Sequence, residues 1–222
     1  MTHTGRALAA EALGSFMLFA TVIGSGIMGQ QLAGGNVAIA LLGNTLATGA
    51  MLFVLIAMLG PVSGAHFNPA VTVVMGLRGG LRQGLVPAYA MVQLGAGILG
   101  VWAAHVMFDL PVVQLSHHVR TGAGQWLSEG LATFGLVLTI LGTLQSRPGW
   151  VPASVALYIT AAYWFTSSTS FANPAITLAR SLSDTFAGIA PANVAGFVAA
   201  QMFGAVAAHY AAMAIFPAKD TP

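Results

Sequence analysis

The chain has 222 residues, of which 57% are apolar and only 5% charged, against about 25% charged in soluble domains. Seven cations and five anions give a pI near 9.4, too thin a basis for nucleic-acid binding, and the absence of cysteine excludes disulfides and thiolate metal sites. A mean hydropathy of +0.82, with no charged residue between Glu11 and Arg78, indicates a polytopic integral membrane protein whose first partner is the lipid bilayer.

Gly, Pro and charge punctuation predicts six spans, over 7–28, 37–59, 84–108, 125–145, 151–169 and 191–216. The first apolar run follows Arg6 with no convincing small-residue cleavage site, so it reads as a transmembrane helix and not as a removed signal peptide. Gly60-Pro61 is expected to end the second span sharply, because Pro cannot continue the hydrogen-bond ladder. Next comes Asn68-Pro69-Ala70. Asn caps a helix N-terminus with its side-chain oxygen, and Pro is favoured at the first helical position. The helix so begun, from Asn68 to Leu77, is about 15 Å long, half of a hydrocarbon core about 30 Å thick. It must enter and return on one side. Asn173-Pro174-Ala175 starts a second such helix between spans five and six.

An internal repeat orders these pieces. Ala10-Glu11-Ala12-Leu13-Gly14-Ser15-Phe16 is echoed by Ser128-Glu129-Gly130-Leu131-Ala132-Thr133-Phe134, and each half later carries a Gln near a Gly, Gln93 with Gly95 and Gln201 with Gly204. The halves run approximately over 1–110 and 122–222 within a single transmembrane domain covering 1–222. Each has an odd number of spans, so the second is inverted relative to the first, an arrangement that builds solute pathways at the midplane. With both termini cytoplasmic, Arg6, Arg78, Arg82, Arg147 and Lys219 face inward, and only Arg120 and Arg180 face outward, in keeping with the positive-inside rule. Two half-helix N-termini meeting there bring two positive dipole ends together. Asn68 and Asn173 can then donate amide hydrogens into the pore while their oxygens cap the backbone, and the positive field opposes cations and protons.

Gly64-Ala65-His66-Phe67-Asn68-Pro69-Ala70-Val71-Thr72, the second Asn-Pro-Ala and the paired glutamates resemble the aquaporin and aquaglyceroporin family over nearly the whole chain. The resemblance implies an all-α membrane protein, a right-handed bundle of six transmembrane helices plus two re-entrant half-helices. It also implies a homotetramer with one pore per subunit, and a bacterial inner (plasma) membrane. In water-selective members an Arg follows the second motif; here that position is Ile176. The family's other filter positions fall, by counting from the motifs, on Thr48, Ala161 and Ser170. Exchanging a guanidinium for a butyl group removes five N–H donors and a permanent charge, so the resemblance implies a wider, arginine-free filter. It is similar to a bacterial subgroup associated with arsenic resistance, which passes uncharged and methylated arsenic species besides other small solutes.

Arg180 lies four residues after Ile176, about one turn further out. It either supplies a displaced positive ring or snorkels to headgroups and caps the half-helix, the simpler expectation. Glu11 and Glu129 are carboxylates inside spans, which are functional suspects; the resemblance assigns them to supporting loop backbone beside the half-helices. His66 resembles a residue facing the cytoplasmic pore, with packing as the alternative. His105 and His209 read as packed or interface residues, His117-His118 as a solvated loop without a third metal ligand, and Gly95, Gly97, Gly100, Gly196 and Gly204 as close-packing positions. The leading function is passive passage of small uncharged solutes: water, glycerol- or urea-like molecules, and neutral metalloid species. A proton-coupled secondary transporter, a water-selective channel and a non-conducting structural member are the rivals. No nucleophile–base pair or metal cluster is visible, so neither an enzyme nor a cofactor or metal is expected.

Overall fold

The computed structural model describes residues 1–216; Lys219, one of the inward-facing cations of the orientation argument, lies outside the described residues. The chain forms eight α-helices among these residues: α1 (His3–Leu32), α2 (Val37–Ser63), α3 (Pro69–Leu77), α4 (Val86–Met107), α5 (Ala123–Ser146), α6 (Val151–Phe165), α7 (Pro174–Arg180) and α8 (Val194–Ile215). Five are long and apolar enough to cross a membrane: α1, α2, α4, α5 and α8. The expected fifth span is shorter than the others. A 3-10 turn over Pro148–Trp150 leads straight into α6, and the two together rise about 28 Å, close to the hydrocarbon thickness. The rest of the predicted 151–169 is loop.

The second span ends later than its Pro suggests. Pro61 sits inside α2, which runs on to Ser63 and stops at Gly64 (φ 89°), whose N–H bonds Gly60 O. A Pro in the last turn removes one ladder bond, which the terminal turn tolerates; the left-handed cap is the stop signal.

In each half, helices pack through backbone approach. On α4, a Cβ at Gly100 would meet the backbone of Phe16 on α1, and on α8 a Cβ at Gly204 would meet the backbone of Gly130 on α5. Gly97 accommodates the Phe19 ring and Gly196 the Trp126 indole, whereas Gly95 has open space around it within this chain. Leu157, Phe203 and Met213 are exposed, as side chains facing lipid are.

The two half-helices start as their sequences dictate. Asn68 Oδ1 accepts from Ala70 N at 2.9 Å, and Asn173 Oδ1 accepts from Ala175 N at 3.0 Å and Ile176 N at 3.3 Å. Pro69 and Pro174 open the helices they precede, and both starts are buried inside the bundle. The repeat extends to the loops before them. Ala65 and Phe67 have φ of 51° and 48°, and Ser170 and Ala172 have 50° and 48°. Each of these left-handed non-glycine residues costs roughly 1–3 kcal/mol.

Candidate functional site: a cavity between two half-helices

Two buried carboxylates hold the strained loops. Glu11 accepts from His66 N at 2.9 Å, Phe67 N at 2.8 Å, Ser63 Oγ at 2.7 Å and Gln93 Nε2 at 2.7 Å. Glu129 accepts from Phe171 N and Ala172 N, both at 2.9 Å, and from Gln201 Nε2 at 2.6 Å. Each glutamine also donates to a half-helix threonine, Gln93 to Thr72 at 2.9 Å and Gln201 to Thr177 at 2.8 Å. Carboxylates that collect this many donors are held in place.

Across the centre the halves interlock. Asn68 Nδ2 donates to Ala172 O at 2.7 Å, and Asn173 Nδ2 donates to Phe67 O at 2.8 Å. Each asparagine amide therefore gives one hydrogen to the opposite loop, and only its second is left for the lumen. The sequence reading did not anticipate this bond, because it spans 104 residues in one case and 106 in the other.

A cavity of about 470 Å³ runs past both asparagines. His3, Thr4 and Arg82 line one end of it, and Ile176 and Arg180 the other. Its walls are chemically unequal. Leu136, Ile140 and Leu144 of α5 and Val155, Ile159 and Tyr163 of α6, spaced by four, form apolar stripes. The loops over 63–68 and 170–173 complete the lining. No Asp or Glu of the described residues lines it.

Thr48, Ser170, Ile176, His66 and Arg180 all line this cavity and are buried. Ser170 Oγ has no protein partner. His66 Nδ1 lies 3.2 Å from Thr72 Oγ1, and its ring centroid is 5.4 Å from that of Tyr89. Ala161 is the exception: it is exposed and outside the lining. Counting twelve residues back from Asn173 assumes a fixed distance between span and motif. Here α6 stops at Phe165 and a loop over 166–173 takes up the rest, so the inward face of α6 carries Ile159 and Tyr163. Tyr163 donates to Thr48 Oγ1 at 3.3 Å. Its spacing of four from Ile159, itself four from Val155, was the signal for it.

Arg180 corrects one expectation. It is 2% exposed, so it does not snorkel, and it belongs to the cavity lining. Its Nε donates to Ala187 O, and its Cζ lies 3.3 Å from the centroid of the Phe171 ring. Arg120 Cζ is 5.2 Å from the same ring. Phe171 was not singled out in the sequence, although it occupies the place in the second repeat that His66 holds in the first, and Arg120 entered only as an outward-facing cation. Three other histidines stay outside the cavity: His105 is buried, with Nε2 2.8 Å from Ser183 Oγ, His209 stacks edge-on with Tyr210, and His117 meets Asp184 in a surface loop.

Apolar spans, two half-helices joined head to head and a cavity threading between them define a membrane channel. Residues 1–167 match the family model described as Major intrinsic protein. The chain is 55% identical over 203 residues to "Aquaglyceroporin AqpS" of Rhizobium meliloti (strain 1021), covering 91% of this chain and 87% of the relative. It is 30% identical over 171 residues to "Aquaporin Z" of Photorhabdus laumondii, covering 68% and 72%. Among solved structures, the aquaglyceroporin from Plasmodium falciparum superposes with a TM-score of 0.75 over 94% of this chain and 95% of that one, at 18% identity; that likeness concerns the fold alone. The chain belongs to the major intrinsic protein family, whose members are passive transmembrane channels and not enzymes.

Proposed function

We propose that the protein conducts small uncharged solutes down their gradients: water, glycerol- and urea-like molecules, and neutral metalloid species including methylated arsenicals. The observation that carries this is Ile176, an apolar residue in the cavity wall directly after the second Asn-Pro-Ala. Thr48, Tyr163, Ser170 and Ile176 form the constriction, with Tyr163 replacing the expected Ala161 and with Arg180 set one turn outward. Asn68 and Asn173 align solute oxygens at the centre, where the two half-helix dipoles oppose cations. The 55% identity to a relative named an aquaglyceroporin supports polyol passage. The functional unit is a single channel domain over 1–222, with repeats near 1–110 and 122–222, assembled as a homotetramer in a bacterial plasma membrane with both termini cytoplasmic. Arg82 Nη2 bonds Thr4 Oγ1 at 3.1 Å, whereas Arg120 and Arg180 share Phe171; this separation of cations supports the orientation. Proton coupling through Glu11 or Glu129 is disfavoured, because both carboxylates already accept three or more hydrogen bonds.

The test is stopped-flow light scattering on proteoliposomes against empty vesicles, with water, glycerol, urea and arsenite as permeants. Rapid shrinkage followed by fast reswelling is expected for the solutes. Ile176→Arg should slow solute entry about tenfold or more, since a charged, bulky group replaces an apolar wall. Equal solute flux in wild type and Ile176→Arg would remove this position from the filter, and water flow without solute entry would overturn the substrate reading.

A further inference from the structure

The donors of the two outer arginines are spent differently. Arg120 gives Nε to Gly188 O at 2.8 Å, Nη1 to Ser168 O at 3.4 Å and Nη2 to Phe186 O at 3.4 Å. Its guanidinium is tied into the loop. Arg180 gives only Nε, to Ala187 O, and neither Nη has an acceptor among the described residues. The residue as a whole is 2% exposed, yet its Nη groups are not sealed away as Ser170 Oγ is; they keep open surface in the cavity wall, where an incoming oxygen can accept from them. Ser170, in the lining of the same cavity, has an Oγ without a partner.

Helix geometry explains how a residue at the end of α7 reaches this place. Cα–Cβ bonds tilt toward the helix N-terminus, and a long side chain covers the turn before its own Cα. Arg180 therefore reaches back toward the turn that carries Ile176 and rests on Phe171, whose ring is braced edge-on by Phe197 at 5.2 Å. Arg120 fixes Phe186 and Gly188, the neighbours of the Ala187 carbonyl that pins Arg180. Glu129 makes no direct pair with either arginine, its oxygens being taken by Phe171, Ala172 and Gln201.

We infer that Arg180 is the specificity-determining cation of this pore: seated on Phe171, it offers its Nη donors to the oxygens of passing uncharged solutes and repels protons and cations, while Arg120 positions the loop that holds it. This rests on the reading of the chain as a passive solute channel. Passing oxygens supply the acceptors that the protein withholds, and the planar guanidinium suits both the aromatic seat and the lumen in a way an ammonium does not.

The test uses full-length protein in liposomes with two readouts, the glycerol-to-water permeability ratio and proton leak reported by an entrapped pH dye. Arg180→Gln should raise proton leak about tenfold, as loss of about 1.4 kcal/mol of barrier would, and change the glycerol-to-water ratio. Arg180→Lys should keep the proton barrier but alter the ratio, because charge is retained and the planar donors are lost. A purely structural arginine would give neither split. Wild-type proton leak and wild-type ratio in well-folded Arg180→Gln would overturn the inference. Should Arg180→Gln fail to assemble, Phe171→Leu decides: a shifted ratio supports the inference and an unchanged one overturns it. Wild-type vesicles that pass water but no glycerol would defeat the solute-channel reading, and the proton readout would still decide Arg180.

Discussion

Glu129 has a task that no neutral side chain performs equally well. Its two oxygens collect the N–H groups of Phe171 and Ala172 and the Gln201 amide, immediately beside residues forced into left-handed backbone. The carboxylate thus offsets strain that the loop stores. In Glu129→Gln one acceptor oxygen becomes an NH2 group facing other donors, and a buried donor left unsatisfied costs about 1–3 kcal/mol. Thermal denaturation in detergent should show a lowered midpoint for Glu129→Gln, and a comparable loss for Glu11→Gln. A midpoint equal to wild type would mean that the loop conformation does not depend on these bonds. The glutamates were visible in the sequence because they repeat. Their partners were not, because backbone N–H groups leave no signature in side-chain identity.

Helix placement was largely legible from composition, since apolar runs between Gly, Pro and charge correspond to helices whatever packs around them. Helix ends were less so. Pro61 reads as a terminator but lies inside α2, because the left-handed Gly64 cap lies three residues further on. The length of α6 depends on where the loop over 166–173 must reach to meet Glu129, which is a tertiary requirement. Glycine spacing indicated close helix approach, and the structure selects which glycines serve it. At Gly204 any Cβ would collide with the Gly130 backbone, and backbone cannot yield as a flexible side chain can. Gly204→Val should therefore destabilise by about 1–3 kcal/mol, read as a lower unfolding temperature, while Gly95→Ala, with open space around it, should be near neutral. Equal effects at the two positions would show that α5 and α8 do not depend on this contact.

For the molecule as a whole, the two halves cannot be separated at the centre, because each asparagine donates to the other half's loop. The loop that joins the halves also meets the second half beyond Arg180. Ser116 N bonds Ser181 O at 2.9 Å, Asp184 N bonds Gln114 Oε1 at 2.9 Å, and Asp184 Oδ1 accepts from His117 N at 2.9 Å. The His117 backbone N–H, with its ring beside it, holds the Asp184 carboxyl below its usual range. A depressed carboxyl contributes its full stabilisation above the ordinary carboxylate pKa and loses it progressively as pH falls from there through the lowered value. Protection of the His117 amide in hydrogen exchange, corrected for intrinsic rates, should thus stay flat from neutral pH down to the ordinary carboxylate range and fall only below it. Loss of protection already near about pH 6, where histidine titrates, would assign the linkage to the imidazole instead.

Membrane class, helix number, the two half-helix starts and the inverted repeat were determined by sequence alone, because hydropathy, capping chemistry and repetition are local properties that survive without coordinates. The cavity's actual wall was decided by tertiary structure. Which face of α6 turns inward, and so whether Ala161 or Tyr163 lines the lumen, depends on a loop length that no motif count captures. Whether Arg180 points to headgroups or into the cavity depends on Phe171 and on the carbonyl of Ala187 being near it. Side-chain direction at a helix end is set by what the rest of the chain places there, and that information lies outside any window of sequence around the residue.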